Sequence, residues 1–394
     1  MCRKVTPSVS SQRLPLANMT NLLSEGRYDR QELITWWDQR ALRVSRVLVV
    51  GAGALGNEVV KNLTLLGVGH IVVVDMDTVS TSNLSRCVFF QNGDEGAPKA
   101  VLVARRARDL NPEVDAEAVV APVQAGGVGW VSTFDLVIGC LDNREARVWI
   151  NQACRKFGKT WIDGAIEGIR GVVKVFPASG ACYECTLGEV DRAILEKRKA
   201  CSLLSAEEID LGKVPTTAST SSVIAGLQCQ EAVRILNGLT SPLNNKGWFM
   251  IGESFDTYIV NYEEDEGCAA HEDYRNHSVV HPLIGETIRA IVTPFAGDVA
   301  MFEVQFEDVI VREGRCFDCG VVKVIHKIIG EVSRDEVTCP SCSAQLGLNI
   351  TSTLSSDDPL LNQTPIDLGL APFDVLSIRT KDRISRLAFV PEEM

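Results

Sequence analysis

Three residue patterns in this 394-residue chain could do chemistry. The first is a glycine triad. Gly51, Gly53 and Gly56 follow the apolar run "SRVLVV" as GxGxxG, and Asp75 closes the next apolar run nineteen residues after the last of them. Glycines there let backbone approach a phosphate, the helix that follows favours its charge, and the later carboxylate takes ribose hydroxyls. Taken alone, the triad reads as an NAD site, yet no hydride-transfer residues accompany it. The second pattern is paired cysteine. "CFDC" (316–319) and "CPSC" (339–342) have nineteen residues between them, the spacing of a four-cysteine zinc ribbon built from Cys316, Cys319, Cys339 and Cys342. "CYEC" supplies a further pair, Cys182 and Cys185.

The third pattern is a cysteine with no pair. Cys201 follows Lys197, Arg198 and Lys199, whose charge favours thiolate over thiol, and precedes Glu207, Glu208 and Asp210, which oppose that charge. The local residues leave a nucleophile and a solvated loop cysteine both open. Cys140 closes an apolar run, and Cys154 and Cys229 sit in helical segments among apolar neighbours, so these three read as core. Cys2 falls in the N-terminal stretch.

Alternating elements must position these groups. "SRVLVVGAGALG" is a buried strand entering a glycine turn, with a helix over Glu58 to Leu66. "HIVVVDMD", "AEAVVAPV" and "DLVIGCLDN" read as further strands, and "WIDGAIEG" and "RGVVKVFP" add two more. Short β-branched runs alternating with helices predict a parallel sheet covered on both faces, an α/β doubly wound Rossmann-like domain. "TTASTSSVIAGLQCQEAVRILNG" reads as a long buried helix closed by Gly238. Residues 1–26 read as a flexible tail, 27–280 as the main domain and 281–394 as a smaller β-rich domain carrying the ribbon.

Composition narrows the function. The formal charge is −12 and the sequence pI near 5.1, which argues against nucleic acid or an anionic membrane as partner. The polar, Ser-rich start has no signal-peptide core and no later run is apolar for long enough to span a bilayer, so a cytoplasmic location is expected. Thirteen cysteines in a reducing compartment then read as ligands, nucleophiles or core rather than disulfides.

"RYDRQ" (27–31), "GAGALG", "DMDTVSTSNLSR" (75–86), "GAPK" (96–99) and "CLDNREAR" (140–147) occur in order. Together they resemble the ThiF/MoeB/HesA and ubiquitin-activating enzyme family over roughly residues 27 to 280. The resemblance implies ATP- and Mg2+-dependent adenylation of the C-terminal glycine of a ubiquitin-like protein. It places Asn83, Arg86 and Lys99 around the phosphates, Asp142 on Mg2+, Asp75 on the ribose and Asp77 in the same nucleotide site. Arg30 would reach the ATP of a second protomer, implying a homodimer. One departure is Cys87, where a Gln usually follows the arginine of "SNLSR"; it reads as a packing substitution.

The same resemblance bears on the cysteines. Where the family completes its first zinc site, this chain has "CAAH", so Cys268 and His271 would join Cys182 and Cys185 in a site of three cysteines and one histidine; a surface His is the bland alternative. Cys201 lies after the first zinc pair and before a "PTT", the order in which the family places its thioester cysteine, on a segment (186–215) that must move. Thr216 and Thr217 would line its approach, or one of them would cap the long helix. "TPIDLGLAPFDVLSI" resembles the end of a β-grasp fold, implying a module that docks a conjugating enzyme. The layout is similar to the activating enzymes of bacterial ubiquitin-like conjugation operons linked to antiviral defence. Two alternatives remain: a sulfur-carrier adenylyltransferase, which needs no conjugating enzyme, and a non-catalytic scaffold.

Overall fold

A computed structural model describes residues 26–188, 215–297 and 301–391. Cys201, Cys2, residues 189–214 and the stretch up to residue 25 therefore lie outside the described residues.

The described residues open with two short helices, α1 (Asp29–Glu32) and α2 (Gln39–Val44). A large sheet follows, built from β1 (Arg46–Val50), β2 (His70–Val74), β3 (Asp115–Val119), β4 (Leu136–Gly139), β5 (Trp161–Glu167), β6 (Arg170–Phe176), β7 (Lys246–Ile251) and β8 (Asp256–Asn261). Their spatial order is β3-β2-β1-β4-β5-β6-β7-β8. Helices α3 (Ala54–Leu66), α4 (Lys99–Leu110), α5 (Arg144–Lys156) and α6 (Ala218–Leu236) cover it. Valines, isoleucines and leucines of β1, β2 and β4 split by alternation into two buried clusters, one against α3, α4 and α6 and the other against α5.

The sheet is mixed, not parallel throughout. β3, β2, β1, β4 and β5 run parallel, but β6, β7 and β8 are antiparallel. The cause is local. Only Gly168, at φ 60°, and Ile169 separate β5 from β6, too short a link for a parallel crossover and suited to a hairpin. The first covering helix begins at Ala54 rather than Glu58, because the glycine turn runs directly into it. Strand β3 stops at Val119, ahead of Pro122, instead of continuing through "APV".

A second sheet lies C-terminal to the first. It contains β9 (Ser278–Val280), β10 (Glu303–Arg315), β11 (Val322–Ile328), β12 (Gly347–Ser355), β13 (Val375–Arg379) and β14 (Ile384–Phe389), in the order β11-β10-β13-β14-β9 with β12 also on β10. Helices α7 (Ile288–Ala296) and α8 (Pro365–Leu368) accompany it. The turn in "TPIDLGLAPFD" leads into the penultimate strand, β13, and a hairpin adds β14 after it. Phe373, Val375 and Ala388 of this unit join the α5-side core of the large sheet, and Gly129 N–H donates to Phe373 O at 2.9 Å.

Candidate functional site

The carboxyl end of β1 meets that of β4 where the strand order reverses, the place where open α/β sheets bind ligands. Gly51 leaves β1 with φ 99°, and a Cβ there would lie 2.5 Å from the Cys140 carbonyl oxygen beyond β4. A Cβ on Gly56 would sit 1.9 Å from Gly51 O. These two glycines are demanded by the chain's own packing. Gly53 is different: a Cβ on it meets nothing within 4 Å. It caps α3 in an extended conformation, and no side chain caps the first amides of α3.

Asp75, just past β2, faces this turn. Its Oδ2 accepts from Ala52 N–H at 2.6 Å and its Oδ1 from Asp77 N–H at 2.7 Å. Burial raises its pKa against the pull of those amides and of Lys99. Lys99 opens α4 and donates Nζ to Asp77 Oδ2 at 2.7 Å. Asn83 is buried in a capping box: its Oδ1 accepts from Ser80 N–H at 2.9 Å and shapes the short turn Thr81–Ser85. Arg86 ends that turn and donates Nη1 to Ser82 O at 2.6 Å. Cys87 is 3% exposed within the main core, and burial pushes its thiol up to about 11, as a packing residue requires.

Asp142 lies exposed between β4 and α5. The helix cap is its neighbour: Asn143 Oδ1 accepts from Ala146 N–H at 2.8 Å, which leaves the Asp142 carboxylate out of capping. Arg147, the last residue of "CLDNREAR" and one to which the sequence assigns no role, braces this loop. It is 8% exposed, pairs Nε with Asp163 Oδ1 at 2.8 Å and donates Nη2 to Leu141 O at 2.5 Å. Only its place at the end of the motif signalled it.

Arg30 stands apart from the turn. Tyr28 before it is buried beside Gly67, at the far end of α3, with its hydroxyl accepting from Asn111 Nδ2 at 2.8 Å. A helix of 13 residues, roughly 20 Å long, therefore separates Arg30 from its own glycine turn. Thr217 is the N-cap of α6, accepting from Thr220 N–H at 3.2 Å, while Thr216 bridges Gly168.

Both expected cysteine clusters assemble. Cys182 Sγ lies 3.6 Å from Cys185 Sγ and 3.7 Å from Cys268 Sγ, and Cys185 Sγ is 3.3 Å from His271 Nε2. In the second cluster the pairs Cys316–Cys342 and Cys319–Cys339 are 3.4 Å apart and Cys319–Cys342 3.7 Å. A disulfide needs about 2.05 Å, whereas a tetrahedron with Zn–S bonds of about 2.3 Å has edges of roughly 3.8 Å. Both sets fit zinc. Glu264 Oε1 lies 3.4 Å from His271 Nδ1 and 2.9 Å from Arg155 Nη2, which turns Nε2 toward the sulfurs. Burial lowers the His271 pKa, favouring the neutral imidazole that a metal requires. Cys140, Cys154 and Cys229 are all buried, as expected of core thiols.

Residues 28–270 match the sequence model of the ThiF family. The SAMP-activating enzyme E1 of Haloferax volcanii is 33% identical over 237 residues, 58% of this chain and 81% of that protein. A sulfur carrier protein adenylyltransferase of Thermus thermophilus is 33% identical over 233 residues, 55% of this chain and 79% of that protein. Ubiquitin-like modifier-activating enzyme 5 of Dictyostelium discoideum is 28% identical over 211 residues, half of this chain and 53% of that protein, so about half of its length is spanned. Escherichia coli MccB, solved with ATP, shares the fold at a TM-score of 0.52 and 22% identity, over 64% of this chain and 75% of its own. With the family model spanning more than half of the sequence, this chain belongs to the ThiF family.

Proposed function

We propose that the protein uses ATP to adenylate the C-terminal glycine of a ubiquitin-like protein and then carries the acyl group on Cys201 as a thioester for transfer to a conjugating enzyme. The observation that carries the first half is Gly53. The chain itself has no need of a glycine there, yet the missing Cβ leaves the amides of α3 open to a phosphate at the switch point. Asp75 would take the ribose. Lys99, exchanging Asp77 for phosphate, and Arg86 would offset the repulsion between an attacking carboxylate and the α-phosphate. Asn83 shapes the turn that presents Arg86. Asp142 would hold Mg2+, which when bound supplies charge neutralisation for the departing pyrophosphate. The carboxylate oxygen attacks the α-phosphorus, pyrophosphate leaves, and the Cys201 thiolate then displaces AMP from the acyl carbon.

Arg30 serves the neighbouring protomer's site in this reading, since α3 separates it from its own. A cavity of about 390 Å³, whose lining includes Ile34, Trp36, Trp37, Leu66, Asn62 and Gln230, begins four residues after Arg30 and is the surface this reading gives to the second protomer. The two cysteine clusters hold structural zinc, and the second sheet docks the conjugating enzyme.

The test is pyrophosphate exchange into ATP with a small Gly-ending ubiquitin-like protein, followed by mass spectrometry for a thioester. Cys201→Ala should keep the exchange and lose the reducible adduct; a normal adduct from this variant would overturn the role of Cys201. A second reading, adenylation of a sulfur carrier without a thioester on this chain, is favoured by the likeness to the Thermus adenylyltransferase. It predicts exchange with no reducible adduct even from the unaltered protein.

A further inference from the structure

The glycine turn and the segment bearing Arg86 come from different parts of the chain, and one side chain joins them. Asn57, in the first turn of α3, is fully buried. Its Nδ2 donates to Ala52 O at 2.8 Å and to Gly53 O at 3.1 Å, and its Oδ1 accepts from Phe89 N–H at 3.0 Å. Both amide hydrogens and the amide carbonyl are thus committed. Each partner matters to the site. Ala52 holds Asp75 through its own N–H, Gly53 opens the anion-facing end of α3, and Phe89 lies three residues after Arg86. The Phe89 backbone is held at its carbonyl too, with Arg106 donating to Phe89 O while it pairs with Asp94.

Helix formation asks for none of this. A helical residue at this place needs no polar side chain, and a buried amide is costly unless all its groups are met. No ordinary substitute reproduces the three bonds. Serine is too short to span the gap, and aspartate would set a second oxygen against the Ala52 and Gly53 carbonyls. We propose that Asn57 is a positioning residue for ATP: it fixes the spacing between the phosphate-facing turn and the Arg86 segment, so that one nucleotide meets both. The inference rests on the adenylation reading above.

A double-mutant cycle tests it, using Mg-ATP binding to the full chain by calorimetry, with thermal melts on every variant. Asn57→Ala should weaken ATP roughly tenfold when Arg86 is intact but roughly threefold or less in an Arg86→Lys background, because the two act on one geometry. A purely structural role would lower the melting temperature and the bound fraction at unchanged affinity. Asn57→Ser serves as the milder variant should Asn57→Ala not fold, with the same non-additivity expected. Equal losses in both backgrounds, or unchanged affinity in a folded Asn57 variant, would overturn the assignment while leaving adenylation intact. If the unaltered protein binds no Mg-ATP, the adenylation reading itself falls.

Discussion

Replacing the two glycines at either end of the α3 entry by alanine should have opposite consequences, although they are three residues apart. A Cβ at Gly56 would meet Gly51 O at 1.9 Å, well inside the 3.4 Å of ordinary contact, and the obstacle is backbone. Turn and helix must part by more than an ångström, overpacking that costs about 3 kcal/mol or more. For a domain of this size that is a fall of roughly 6–12 °C in Tm. At Gly53 the backbone is extended, with φ −73° and ψ −159°, and any residue can adopt it. Alanine there loses about 0.5–1 kcal/mol as a cap but gains about 0.4–1 kcal/mol from a stiffer unfolded chain. Its Tm should stay within roughly 2 °C of the unaltered protein. The added methyl would nevertheless stand where a phosphate approaches the amides of α3, and Mg-ATP affinity should drop by roughly tenfold or more. Differential scanning calorimetry and isothermal titration on the same samples read both quantities. A Gly53→Ala protein that binds Mg-ATP normally would refute the phosphate site at this turn. A Gly56→Ala protein of unchanged Tm would refute the packing argument.

Two further outcomes follow from other parts of the molecule. Glu264→Ala should weaken zinc at the Cys182, Cys185, Cys268 and His271 cluster by roughly 10–100-fold while leaving the four-cysteine ribbon loaded, measured by competition with a chromophoric chelator. Asp374, 6% exposed between α8 and β13, has its pKa raised to about 7 by burial, against the amide of Ala371 and with Asp308 and Glu307 adding to the rise. The folded chain therefore holds that proton longer than the unfolded one. Stability should fall as pH rises from about 4 to about 7, with a slope of up to roughly 1.4 kcal/mol per pH unit, and level off above. Asp374→Asn should flatten this stretch of a urea-unfolding pH series, and an unchanged slope would count against the assignment.

Much of the site was legible in the sequence because its chemistry is encoded locally. The glycine spacing, the two CxxC knuckles and the apolar runs each act within a few residues, where residue type and period fix backbone form. Cys140, Cys154 and Cys229 could be read as core for the same reason, whereas the packing role of Cys87 came from comparison with a family pattern. The grouping of Cys268 and His271 with Cys182 and Cys185 rested instead on likeness to a family, and only the fold brings these sulfurs and this imidazole within 4.8 Å of one another. The switch to antiparallel strands after β5 depended on a two-residue link whose effect shows only once the partner strand is known. Tertiary structure alone separated Gly53 from Gly51 and Gly56, since three identical residues differ in backbone φ and in what would strike an added Cβ. It also paired Lys99 with Asp77 and found Asn57, whose partners lie up to 32 residues away. Sequence by itself determined which chemical groups are present and in what order. Distance between groups far apart in the chain was decided by packing, and that distance selects what each group can do.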